Sequence, residues 1–397
     1  MLDSKFSPWP SFTDEEIDSV KDVLASNKVN YWTGDECRKF EKEFAAWSDS
    51  KYAVSLANGT LALDIAFKAL EIGDGDEVIV TSRSYIASVT SIINSNAIPI
   101  FVDVDLESQN ITPENISSAI TSKTKAIVCV HLAGWPCEMD EIMSIANDHN
   151  LFIIEDCAQA HGAKYKGVSV GSIGHIGCWS FCQDKIMSTG GEGGMVTTND
   201  KSLWLKMWEY KDHGKSYNAV YEQKHPEGFR WIHESFGTNW RMTEIQGAIG
   251  RIQLNRMAQW TSVRNRNANI LTKCFKNFTD EESPIRIPML KNQKGSVHAY
   301  YKFYVFVRQD FLRDDWDRDR IVSEITSMGI PCMHGSCSEI YLEKAFDNTN
   351  FRPKERLPIA KELGESSIVF LVHPTLSEKE MHVIAESATS VFDRAKK

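Results

Sequence analysis

Between Leu151 and Asp200 the chain spaces two acids, a hydroxyl, a lysine and a glycine cluster along three strand-like runs. Residues 151–154 are apolar, with the length and branching of a buried strand, and Glu155 and Asp156 follow where it should end. Residues 176–181 carry Ser180 and are followed by Lys185; Gly190-Gly191-Glu192-Gly193-Gly194 then leads into a third run, 195–198. A carboxylate at one strand end, a lysine in the loop after another and clustered glycines suit a pocket around a small phosphorylated ligand. Pyridoxal phosphate chemistry wants these parts. A lysine amine can hold the aldehyde as a Schiff base and later carry a proton. A carboxylate beside the pyridine nitrogen keeps that nitrogen protonated, so that the ring accepts electrons. Taken singly, the residues have plainer uses: Asp156 as a helix N-cap after a strand, Lys185 as one solvated lysine among many.

The elements that must position these residues read as follows. After a capping-box pattern at Thr13 and a helix, residues 30–34 break the chain, and 35–47 resume a helical pattern. Residues 52–56 read as a strand, Asn58-Gly59-Thr60 as a turn and 61–70 as a helix. Such a turn gathers unpaired N–H groups and a helix dipole into an anion site, although NGT alone is more often a simple turn. Strands at 77–80, 100–102 and 126–131 alternate with helices starting in 81–88 and spanning 112–120 and 139–149. This alternation predicts an α/β fold, a mainly parallel sheet with helices on both faces. Ligands of such sheets bind at the carboxyl ends of strands, where Asn58, Tyr85, Asp156 and Lys185 fall. A long helix is expected to begin after Thr243 and run to about Arg266. Beyond it come a strand at 297–307, a helix at 315–328, a short strand at 330–333, a helix start at 358–363 and a final helix from Ser377. We therefore expect a large domain, 1–265, and a small C-terminal α/β domain, 266–397.

Charge and cysteine content bound the function. A net charge of -10 over 397 residues argues against binding a phosphate backbone, so nucleic acid is not an expected partner. Nine cysteines show no CxxC and no regular framework, which points to a reducing cytoplasm. The first residues hold no apolar leader and no run approaches membrane-spanning length.

The pieces EDCAQAHGA, SFCQDK and GGEGGMVTTND, with the turn at Trp32 and Gly34 and the later NWRMT around Asn239, resemble the DegT/StrS-type sugar aminotransferases. These are a branch of the fold-type I, aspartate aminotransferase-like enzymes, and the resemblance spans nearly the whole chain. It implies a large domain with a seven-stranded sheet and a smaller C-terminal domain. It assigns the Schiff base and proton transfer to Lys185, the pyridine nitrogen to Asp156 and the ring hydroxyl to Gln159. Phosphate falls to Asn58, Gly59, Thr60 and Ser180, and stacking on the ring to Tyr85. Asn239 would reach the cofactor phosphate of a second subunit in a homodimer. The cofactor would cycle between pyridoxal phosphate and pyridoxamine phosphate, moving an amino group from L-glutamate to a nucleotide-linked keto-deoxysugar. A UDP-linked sugar aminated at C3 or C4 is expected, for a surface glycan such as O-antigen. Related dehydratases carry histidine in place of the lysine, and some relatives have a proposed non-catalytic, regulatory role; Lys185 disfavours the first, and the intact set of site residues the second. The sequence departs from the family at Thr81 (usually proline), at Arg83 (commonly aromatic) and at Cys182-Gln183-Asp184. Arg83 could shape the substrate site or be solvated, and His161 and His373 could be packed or catalytic.

Overall fold

The computed structural model describes residues 6–289 and 294–397; the first five residues of the stretch expected to lack an apolar leader lie outside them. The large sheet has seven strands: β1 (Tyr52–Leu56), β2 (Glu77–Thr81), β3 (Ile98–Val102), β4 (Thr124–Val130), β5 (Phe152–Asp156), β8 (Ile176–Ser180) and β9 (Gly194–Thr198), with β6 (Lys164–Tyr165) and β7 (Val168–Ser169) forming a separate hairpin. Its order is β1-β9-β8-β5-β4-β2-β3, and β9 alone runs against the others. The central strands are apolar on both faces, because helices cover both. One face packs α3 (Gly59–Ala69) and α4 (Ala87–Asn94) over Val54, Val80, Val128 and Ile154. The other meets α5 (Pro113–Ala119) and α6 (Met139–His149) through Ile79, Ile127 and Ile153. Near the β1 edge, α2 (Glu36–Trp47) sets Phe40 and Phe44 against Trp179 and Phe181.

The second sheet, β10 (Ile285–Arg286), β11 (Phe303–Val307), β13 (Ser367–Phe370) and β12 (Cys332–Met333) in that order, is antiparallel. Phe275, Phe303, Phe370 and Phe392 lie in its core, under helices 318–327 and 378–395. The final helix starts with the capping box Ser377/Glu380.

Three elements differ from the sequence expectation. The long helix, Glu244–Phe275, continues past Arg266 because Ala268, Leu271 and Phe275 are buried in the second core. The helix expected to open over residues 81–88 becomes regular only at Ala87, near the end of that stretch, and Thr81 still belongs to β2. There the Thr81 hydroxyl accepts the Arg83 N–H and Ser84 bonds Ser88, side-chain bonds that compete with a helical turn. The strand expected at 297–307 forms only over Phe303–Val307. Val297 exchanges backbone bonds with Lys164, Ala299 donates to Gly134 and Tyr301 to Ala133, so this stretch is tied to large-domain loops and unavailable to the small sheet.

Candidate active site

The carboxyl ends of β1, β2, β5 and β8 open on a cavity of about 770 Å³. It is lined by eight of the nine residues singled out from sequence: Asn58, Gly59, Thr60, Tyr85, Asp156, Gln159, Ser180 and Lys185. The ninth, Asn239, is exposed outside it, in the loop that bridges to Asp212.

Asn58 caps α3, accepting the Leu61 N–H at 3.0 Å. The N–H groups of Gly59 and Thr60, ahead of the first intrahelical bond, can serve an anion, and the dipole favours one. Gly59 is required by contact: a Cβ there would lie 2.5 Å from the Ser180 Cβ. Gly194 is held likewise, since its Cβ would sit 2.2 Å from the Asn58 carbonyl oxygen. The two glycines thus let the phosphate-type turn, the end of β8 and the start of β9 close on one another.

Asp156 is buried at the end of β5. Its Oδ2 accepts the Ser88 hydroxyl at 2.7 Å and its Oδ1 the Ala158 N–H at 3.1 Å, which fix the carboxylate plane. The neighbouring Glu155 does a different job. It accepts N–H groups of Gly171, Ile173 and Gly174 and pairs with His131, stitching the loop between β7 and β8. Gln159 gives its Oε1 to the Ala133 N–H, leaving the amide NH₂ to donate into the cavity.

Lys185 follows β8. Its Nζ lies 5.2 Å from the centroid of the Tyr301 ring, whose hydroxyl donates to Asp184. Partial burial raises the Asp184 pKa, but Lys185, the Tyr301 bond and Lys302 outweigh it and hold the carboxyl below its usual range. Burial, then Asp184, pushes the Tyr301 phenol well up. His161 is wholly enclosed against Trp179 and Phe181, with neither ring nitrogen bonded among the described residues. Burial, helped by Lys185 and Arg264, lowers it to about 3, so it is a neutral packed ring. His373 stacks on Trp9 and bonds Thr375. Arg83 is not solvated: it is fully buried, with Nε and Nη2 on Gln109 Oε1 and the guanidinium over Tyr304. Arg241 pairs with Asp212 and so braces the loop carrying Asn239.

The cavity's other wall went unread from sequence. It consists of Tyr301, Lys302 and Tyr304 with the segment 333–337. The available signal was a lysine inside an otherwise aromatic and β-branched run. Ser88, one helical turn beyond Tyr85, was also missed.

A helix start closed on a glycine, a fixed carboxylate, an unspent amide donor, a lysine and an exposed tyrosine at the rim fit pyridoxal phosphate, and with this sheet they define a fold-type I enzyme of that cofactor. The sequence model of the DegT/DnrJ/EryC1/StrS aminotransferase family matches residues 10–389, and the chain belongs to that family. An aminotransferase of Psychrobacter cryohalolentis, known by X-ray structure, is 62% identical, with a TM-score of 0.97 and coverage of 98% of this chain and 99% of that one. The GDP-perosamine synthase of Caulobacter vibrioides is 44% identical over 89% of each chain. That of Escherichia coli O157:H7 is 36% identical over 96% of this chain and 97% of its own. The protein is a pyridoxal phosphate-dependent aminotransferase. Among the described residues no helix is long and apolar enough to cross a membrane.

Proposed function

We propose that this enzyme moves the amino group of L-glutamate to the ketone of a nucleotide-linked keto-deoxysugar, producing an amino sugar for a surface glycan such as the O-antigen of a lipopolysaccharide. The observation that carries the reading is the placement of Lys185 in one cavity with Asp156 and the start of α3. Bound there, the cofactor supplies an aldehyde to take up the amine and a ring to accept the electron pair left when a proton departs. Lys185 Nζ takes the α-proton of the amino donor and later returns a proton to the sugar carbon that gains nitrogen. With the cofactor in this cavity, Asp156 would hold the ring nitrogen, Gln159 the ring hydroxyl, and Ser180 with residues 58–60 the phosphate.

A homodimer completes the reading. Asn239 is exposed and outside the cavity of its own chain, where it can serve a second copy. Phe229, Trp231 and Phe236, on the same tract, are 76%, 83% and 100% exposed, an apolar surface that a partner chain would cover. The nine free thiols suit the cytoplasm.

Uridine is the nucleotide expected from sequence, whereas both curated relatives above are named for a GDP-linked product. The test is amination of UDP-linked and GDP-linked 4-keto- and 3-keto-sugars with L-glutamate, read by mass spectrometry of the product. Turnover of one nucleotide series identifies it; failure of every nucleotide-linked ketone, with glutamate still consumed against a free 2-oxo acid, would overturn the sugar reading.

A further inference from the structure

The small-domain wall holds more positive charge than the cofactor site uses. Lys302 lines the cavity, half-buried, directly after Tyr301. Its Nζ lies 4.9 Å from the centroid of the Tyr301 ring, and Lys185 Nζ lies 5.2 Å from the same centroid. Two amines therefore lie near one ring. The nearest acid, Asp184, is engaged by the Tyr301 hydroxyl. Nearby, the fully buried Arg264 donates to the carbonyls of Tyr300 and Tyr301 and, among the described residues, to no acid. Among the described residues, Lys302 Nζ meets that ring face and forms no hydrogen bond or ion pair.

We propose that Lys302 binds a carboxylate in this cavity, carried either by the amino donor or by the sugar, beside the reacting amine of Lys185. The assignment rests on the reading given under Proposed function and names a group that reading leaves without a receptor. An ammonium in a half-buried wall whose nearby acid is already engaged is held against its own desolvation, and an incoming anion relieves that strain. Burial, with repulsion from Arg264 and Lys185, pulls Lys302 down to about 8 against the attraction of Asp184. Both amines lie close to one ring centroid, so a carboxylate held by Lys302 leaves an atom a few bonds away near Lys185. Glutamate spaces its amine and its carboxylates in this way, and so does a sugar acid with a ring ketone. A flexible amine with three donors accommodates either.

Isothermal titration of the holoenzyme separates the two sources without needing turnover. Succinate, an unreactive dicarboxylate, stands for the donor. UDP-glucuronate compared with UDP-glucose stands for a carboxylate on the sugar. For Lys302→Gln we expect affinity for one carboxylate probe to fall roughly ten- to a hundredfold, the loss of one charge-assisted bond, with UDP-glucose unchanged. Lys302→Arg should retain most of it. Loss for succinate assigns the donor, and loss for UDP-glucuronate alone assigns the sugar. Equal affinities in wild type and Lys302→Gln for both probes, or no binding of either to the wild type, would overturn the proposal. A wild type that binds succinate but transfers no nitrogen from glutamate counts against the function and leaves Lys302 standing.

Discussion

On the large-domain wall Asn58, Asp156 and Ser180 each stand where a regular strand ends or a helix begins. On the small-domain wall Tyr301 and Lys302 belong to a stretch without regular structure, held by backbone bonds to loops of the other domain. The first wall presents helix N–H groups and anchored carboxylates in fixed directions, as gripping one unchanging cofactor demands. The second presents a lysine, two phenols and a glycine-containing segment on irregular backbone, where direction is set by loop-to-loop bonds and not by a strand end or a helix start.

Breaking the first wall should cost most. Lys185→Ala removes the proton carrier, and transfer from glutamate should fall by at least about 10²–10⁴-fold in a single-turnover assay. Gly59→Ala comes next. Alanine gains about 1 kcal/mol in helix propensity. The Cβ, however, would press on Ser180 in a buried strand, and overpacking costs about 1–3 kcal/mol. We expect a net loss in urea midpoint, partly restored by Ser180→Gly in the same chain, and weaker cofactor retention in both variants; full additivity of the midpoints would show that the contact does not matter. Ser88→Ala leaves Asp156 one bond short, with a smaller fall in cofactor affinity of roughly tenfold, measured by equilibrium dialysis.

How far each wall could be read in advance follows from the same contrast. Asn58, Asp156 and Ser180 were legible because apolar runs mark strands, and the next residues must then sit at the sheet's ligand-binding edge. Lys185 lies in a loop and was legible through the motif around it. Tyr301 and Lys302 were taken for the middle of a strand. Their aromatic, β-branched neighbours satisfy a strand pattern, and nothing local discloses that Ala299 and Tyr301 spend their N–H groups on Gly134 and Ala133, more than 160 residues earlier. Arg83 was undecidable for a similar reason: its partner Gln109 lies on another loop, 26 residues on.

Effects on the second wall should be smaller and selective. Tyr301→Phe removes the bond to Asp184 while keeping the ring beside the two lysines. We expect a change of about tenfold or less in KM or kcat and an intact cofactor spectrum. A loss as large as that of Lys185→Ala would erase the distinction between the walls.

Acid should weaken both together. His161, His298 and His373 are each lowered from 6.5 to about 3, by burial first of all. The unfolded chain therefore binds more protons than the folded one between these values. Their stabilising preference for the neutral ring is complete above about 6.5 and is lost as pH falls towards 3. Thermal midpoints measured across this range should drop as pH falls, and His161→Phe should flatten the slope.

The most direct test of the account is the absorption spectrum of the purified enzyme, alone and with L-glutamate. A yellow band that glutamate removes and a 2-oxo acid restores is the expected result, with Lys185→Ala unable to hold the cofactor covalently. A wild type that shows no band after incubation with pyridoxal phosphate, or a band in Lys185→Ala equal to that of the wild type and bleached by glutamate at the same rate, would contradict the central assignment of this cavity and of its lysine.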